Sequence, residues 1–296
     1  MKYFITLLLI VLPFVSTFAQ SKWKRKAESK ELPLRLFNSA EVLNLKSAET
    51  VPKGDIYYGI SHRFNGNASG GMDNFFGLDN GAVMRTKLGY APFDGFMFAI
   101  GRSSQNKQYD IEMKYRFFRM KNEYFPVMLA FNAGYAYSDG DYFEDKSLDI
   151  DIDRNQYHGS LIINTMYKEL FGTEMAIGFG LTPTYLHNSL VGQFENQYSV
   201  TMGYYVQLYL GNDITSLIFE GNPTVYGWRS QEDGTKAFDT YAFGLELETG
   251  GHFFKLLLTN NTMINTSQFN AGSTDSFEWN NLHIGFQITR NFSLKM

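Results

Sequence analysis

LHIGFQITRNFSLKM, residues 282–296, alternates its chemistry at every step. Leu282, Ile284, Phe286, Ile288, Phe292, Leu294 and Met296 fall on one parity, with Arg290 among them. His283, Gly285, Gln287, Thr289, Asn291, Ser293 and Lys295 fall on the other. Side chains of a strand repeat every two residues, so this segment is a strand with an apolar and a polar face. In a soluble sandwich the apolar face looks inward; in a membrane barrel it looks out at lipid.

The rest of the chain bears on that choice. It opens MKYFITLLLIVLPFVSTFAQ, where Lys2 precedes an apolar run and small residues lead to Ala19. This reads as a secretory signal over 1–19, cut after Ala19. A transmembrane anchor is the alternative, but the run is shorter than the ~20 residues that a spanning helix needs. The chain has no cysteine, which removes disulfide frameworks and thiol chemistry. A mean hydropathy of -0.25 and the lack of a second long apolar run exclude a helical membrane protein. Aromatic residues nevertheless make up 17%, with 27 glycines and only 7 prolines. Aromatic-rich, Gly-rich and alternating is the profile of an outer-membrane barrel. A net charge of -4 gives no case for nucleic acid.

Alternation recurs along the chain. Tyr109, Ile111, Met113, Tyr115 and Phe117 oppose Asp110, Glu112, Lys114 and Arg116; Val200, Met202, Tyr204, Val206 and Leu208 oppose Ser199, Thr201, Gly203 and Gln207. Strands of ~10 residues cross a bilayer when tilted, whereas sandwich strands average nearer ~5 to 6. The pattern predicts twelve strands, near 55–65, 81–91, 95–104, 107–119, 123–138, 155–169, 173–189, 197–211, 214–223, 236–249, 252–264 and 280–295. Their connections alternate short and long, apart from the short SSQNK link in the long set. Short periplasmic turns and long extracellular loops are the rule for such barrels. The expectation is therefore an all-β, transmembrane, up-and-down antiparallel barrel over 55–296, preceded by a periplasmic N-terminal leader at 20–54. A barrel of this size has a narrow or plugged lumen. Arg290 argues back: at the midplane it would cost ~2 to 4 kcal/mol, unless a bulge near Asn291 or a projecting strand end relieves it.

HRF at 62–64, FFGLD at 75–79, GRS at 101–103 and KYRFF at 114–118 together give the chain a family likeness. It resembles an exported β-barrel family of Bacteroidota catalogued as domain of unknown function 5777, most strongly from Ala48 to Phe118. The AQ that ends the signal is similar to signals common in that phylum. The resemblance implies a barrel; it implies no activity and brings no catalytic residues.

Candidate functional residues come from the register of strands two to four. If paired residues sum to about 186 across the first short turn and 211 across the next link, Lys87 lies beside Ala99 and then Glu112. Arg85 lies beside Gly101 and then Asp110. Small residues between them let these four side chains meet across ~9.6 Å of wall. They form either a packed network that stabilises the wall or a charged constriction that filters solutes. A second candidate is the loop FNGNASGGMDNFFGLDNG at 64–81. Leaving Phe75, Phe76 and Leu78 in water costs ~1.5 to 3 kcal/mol each, so the loop is expected to fold into the barrel mouth. Arg63, facing inward, would then meet Asp73 or Asp79. The alternative is a loop packed on itself or on a partner.

Other motifs are weaker. His187 and Ser189, with Asn196 across the next loop, have the spacing of a lipid-facing acyl-transfer pair, similar to outer-membrane phospholipase A barrels in the H-x-S spacing alone. His158 and Ser160 share that spacing but should face the lumen. The acidic stretch from Ser138 to Asn155 lacks the glycine and terminal glutamate of a calcium loop, so it reads as a solvated face, and SKWKRK at 21–26 as part of the leader. No metal, cofactor or catalytic residue is expected. The expected partners are outer-membrane lipid and a small solute. Passive passage or binding of that solute is the leading function; a lipid-modifying enzyme and a structural or partner-anchoring barrel are the alternatives.

Overall fold

The computed structural model describes residues 35–122, 125–139, 154–188, 198–211, 214–227 and 236–294. One antiparallel sheet closes on itself. Its strands are β1 (Asp55–Asn67), β2 (Ala82–Phe93), β3 (Phe96–Ser103), β4 (Gln108–Met120), β5 (Val127–Ser138), β6 (Asn155–Tyr167), β7 (Ala176–His187) and β8 (Tyr198–Tyr209). They are followed by β9 (Thr215–Asn222), β10 (Thr224–Gly227), β11 (Thr240–Thr249), β12 (His252–Thr259) and β13 (His283–Ser293). From β1 to β8 each pairs with the next, β8 pairs with both β9 and β10, β9 pairs with β11, β11 with β12, β12 with β13, and β13 with β1. The last two are one wall strand parted at Pro223, which has no N–H to give to the ladder. Twelve wall strands therefore close the barrel.

The sidedness decides the question raised by the last strand. On β4 the buried residues are Gln108, Asp110, Glu112, Lys114 and Arg116, while Tyr109, Ile111, Met113 and Tyr115 are about half exposed, at 50, 53, 52 and 49%. On β13 His283, Gln287 and Thr289 are buried, and Ile288 and Phe292 are exposed. A polar inside and an apolar outside invert a soluble fold and fit a barrel whose outer solvent is hydrocarbon.

Arg290 sits at a strand end. It pairs with His252, the first residue of β12, beside the Gly250–Gly251 turn, and its register with β1 runs unbroken to Ser293. Its guanidinium lies 4.6 Å from the centre of the Phe292 ring. The midplane penalty does not apply there.

Two expectations about the ends of elements are corrected. The expected strand 252–264 leaves the wall after Thr259. Asn260 donates to the carbonyls of Asp239 (2.9 Å) and Asp275 (2.7 Å), and Asn261 donates to that of Gly272 (3.0 Å), so side chains replace the ladder and turn the chain inward. The leader boundary at 54 also fails. From Leu36 to Val51 the chain is packed inside the barrel, with Leu36, Phe37, Leu43, Leu45 and Val51 each at most 3% exposed. Residues 1–34, which hold the expected signal and the SKWKRK stretch, lie outside the described residues.

Candidate functional site: a filled, charged lumen

The buried inner segment is an irregular chain with a small hairpin at its centre. Val42 N–H donates to Leu45 O (2.8 Å) and Ser47 N–H to Ala40 O (3.2 Å), and Glu41 bridges Lys46. Irregular backbone buried in a barrel needs partners for every N–H and C=O, and the wall supplies them. Glu220 on β9 accepts the N–H groups of Leu43 (3.2 Å), Asn44 (3.0 Å) and Leu45 (3.0 Å). Lys114 donates to the carbonyls of Ala40 (2.8 Å) and Ser47 (2.9 Å). Lys255 donates to the carbonyls of Glu41 and Val42 and to Ser39 Oγ, and pairs with Glu246 at 3.1 Å. Asn164 Oδ1 takes the N–H of Ala48 at 2.7 Å.

Glycines in the wall make room for the segment's apolar side chains. A Cβ at Gly178 would lie 2.7 Å from the Phe37 ring, one at Gly203 2.8 Å from Leu45, and one at Gly244 2.6 Å from Leu43. Part of the glycine content is therefore lumen space given to the inner segment.

The four wall charges expected to be neighbours lie together inside the barrel. Arg85 pairs with Asp110 at 2.5 Å, and Lys87 with Glu112. The route differs from the one expected. Strands β2 and β3 are offset by two residues, with Lys87 opposite Gly101 and Arg85 opposite Ser103, after a register shift between Tyr90 and Phe93. An offset of two preserves every face, so the pairs form diagonally. The inner segment completes the cluster: Lys87 also meets Glu41 at 2.7 Å, and Lys46 meets both Glu41 and Glu112, the latter at 3.1 Å. Lys46, Arg85 and Lys87 thus balance Glu41, Asp110 and Glu112. Glu41, Lys46, Lys87 and Glu112, with Lys114, line a cavity of about 10 Å³, about the size of one water.

A second insertion enters from the opposite end. The connection between β12 and β13 carries a short helix α1 (Thr266–Asn270), capped by Asn265, whose side chain accepts Gln268 N–H at 2.7 Å. All five helical residues are buried. Thr266 donates to Glu112, Ser267 Oγ lies 3.1 Å from His158 Nδ1, and Asn270 accepts from Thr201 at 2.8 Å. Glu112 therefore touches both insertions.

The loop at 64–81 is placed differently from the expectation. Within it the 3-10 segment Ala68–Gly77 lies against the β12–β13 connection, with Ala68 N–H donating to Leu282 O at 2.7 Å. Asp73, Phe75 and Asp79 are exposed, Phe75 at 51%, and Phe76 and Leu78 are half-buried. Arg63 is fully buried but donates to Asn44 Oδ1 (2.8 Å) and the carbonyl of His62 (2.9 Å), with no pairing to Asp73 or Asp79. The loop folds on itself because Gly66 and Gly77 approach too closely for any Cβ, and Asn74 accepts the N–H of Gly77 at 2.9 Å. The constriction comes from the two insertions, which sequence reading missed.

His187 is described, its ring 6.1 Å from that of Tyr157. Ser189, Asn196 and most of the acidic stretch, 140–153, lie outside the described residues. His158 and Ser160 face the lumen and bind Asn132 (3.2 Å) and Thr184 (2.8 Å) respectively.

A family match agrees with this architecture. The profile of a membrane-bound beta barrel domain, domain of unknown function 5777, matches residues 37–292. Among solved structures, a KdgM porin in complex with disordered oligogalacturonate is 9% identical, with 81% of this chain and 99% of that chain covered and a TM-score of 0.42. A NanC porin is 12% identical, with 81% and 99% covered and a TM-score of 0.43. The COG4313 outer membrane channel from Pseudomonas putida F1 is 16% identical, with 83% and 98% covered and a TM-score of 0.43. No curated protein sequence matches the chain. A membrane-bound barrel with an apolar outer face and a polar interior is an outer-membrane protein.

Proposed function

The chain belongs to the family of membrane-bound beta barrel domains, domain of unknown function 5777, and from that footing we propose that it passes a small polar solute through its lumen. On this reading the lumen rests closed. The inner segment at 35–54 and the α1 connection fill the passage, which opens when the inner segment moves.

One observation carries this reading. The inner segment is held by hydrogen bonds and ion pairs from Glu220, Lys114, Lys255 and the charge cluster. Water can replace every one of those contacts, so a displaced segment leaves a wettable channel lined with charge. A wall that only anchored the barrel would be as well served by apolar packing, because buried ion pairs add little net stability.

Planar-bilayer recording tests the reading with the full chain and two variants. The wild type should show rare, small openings. Deletion of 35–54 should give a steady open conductance, and Glu220→Gln combined with Lys255→Met should give more frequent openings. A deletion variant that folds and conducts no more than the wild type would refute the proposal.

A further inference from the structure

The bilayer-facing wall carries a groove of about 440 Å³ across β2 to β5. Its two rows follow from register. Leu88, Ile100, Ile111 and Tyr135 lie side by side on successive strands, and Thr86, Arg102, Tyr109 and Tyr137 form the next row toward the long-loop end. The first row is mostly aliphatic. The second holds the exposed tyrosines Tyr109 and Tyr137, and the first runs on from Tyr135 through Tyr157 and His187 to Tyr198, so that tyrosines of both rows make an aromatic belt at headgroup level.

Arg102 is the cation of that row. It is exposed one residue from the end of β3, its guanidinium 5.6 Å from the centre of the Tyr109 ring. Among the described residues no carboxylate pairs with it. Asp110, at the groove floor, is turned into the lumen and bound by Arg85 at 2.5 Å. The groove therefore offers an apolar trough for hydrocarbon below and an uncompensated planar fork above, where a phosphate would lie.

We propose that this groove is a binding site for one anionic, phosphate-bearing lipid of the leaflet at the long-loop end. Its acyl chain lies over Ile100 and Ile111, and its phosphate takes charge-assisted hydrogen bonds from Arg102 against the Tyr109 ring. Guanidinium and phosphate match in shape and charge, and the Tyr109 ring holds the fork in plane. The site is independent of any passage through the lumen.

Native mass spectrometry of the full chain in micelles tests this, with phosphatidylglycerol or phosphatidylcholine added as the probe. The wild type should retain phosphatidylglycerol in preference. Arg102→Gln should weaken that retention by roughly tenfold or more, the loss expected for hydrogen bonds to a charged group. Ile100→Trp, which fills the trough, should weaken retention of either lipid. Arg290→Gln, a control at the opposite end, should leave retention unchanged. Equal retention of the two lipids by the wild type, or wild-type retention by Arg102→Gln or by Ile100→Trp, would overturn the proposal.

Discussion

Glu220 on the barrel wall holds Asn44 of the inner segment twice, accepting its backbone N–H at 3.0 Å and its side-chain amide at 2.9 Å. The two residues are 176 positions apart in sequence, and Arg63 donates to the side-chain oxygen of Asn44 at 2.8 Å. The inner hairpin is thus fixed from two sides of the wall at its turn.

Glu220→Gln keeps one acceptor oxygen but loses the charge. Charge-assisted bonds of this kind contribute about 1.5 to 3 kcal/mol, so amide exchange at Leu43, Asn44 and Leu45 should accelerate roughly tenfold or more while exchange in β4 and β5 stays as it was. Hydrogen exchange resolved to these peptides measures it. Unchanged rates at 43–45 would show that the turn is held by packing alone.

Glu112 lies against Lys46, Lys87 and Thr266, so its removal leaves cations without their counter-charge inside the lumen. Glu112→Leu should destabilise the barrel by about 3 to 5 kcal/mol, the range for breaking a buried pair from one side. Adding Lys87→Met restores the charge balance and should recover much of the loss. Urea unfolding from micelles gives the comparison, and a double variant no more stable than the single one would count against a balanced cluster.

Gly178 faces Phe37 at a distance that leaves no room for a side chain. Gly178→Val should cost about 1 to 3 kcal/mol through overpacking and should loosen the inner segment. Pairing it with Phe37→Ala should relieve the strain. Protease accessibility of residues 35–54 is the readout, with the double variant expected nearer the wild type than Gly178→Val.

Deleting 67–77 removes a loop whose Met72 and Phe75 are 72% and 51% exposed. Conductance of that variant should equal the wild type's. An increase would mean that this loop, too, obstructs the passage.

Arg290→Leu tests the position of the strand end. At the midplane an arginine costs ~2 to 4 kcal/mol and near the interface ~0 to 1, so the substitution should change stability by no more than about 1 kcal/mol. A gain of several kcal/mol in urea titration would place Arg290 in hydrocarbon.

Much of the barrel is written locally. Side-chain alternation is a property of one strand, so the faces of 107–119 and 282–296 could be read from neighbours two residues apart. For the same reason Arg85, Lys87, Asp110 and Glu112 could be assigned one face, and an error of two residues in register left that face intact. The short turns and long connections followed from where alternation stopped. Leu36, Phe37, Val42, Leu43 and Leu45 also carried a readable warning: the cost of leaving apolar side chains in water, weighed for Phe75 and Phe76, applies equally to them.

What fills the lumen was decided only by the tertiary structure. The partners of the inner segment are far away in sequence, Lys255 more than two hundred residues from Glu41 and Glu220 almost as far from Asn44. No local pattern links a backbone carbonyl to a lysine on the opposite wall. The residues TSQFN at 266–270 have no apolar period; they are buried because Glu112, His158 and Thr201 offer them hydrogen bonds inside a closed barrel. Periodicity records which side of a strand meets which solvent, and it holds no information about which distant segment replaces that solvent once the sheet has closed.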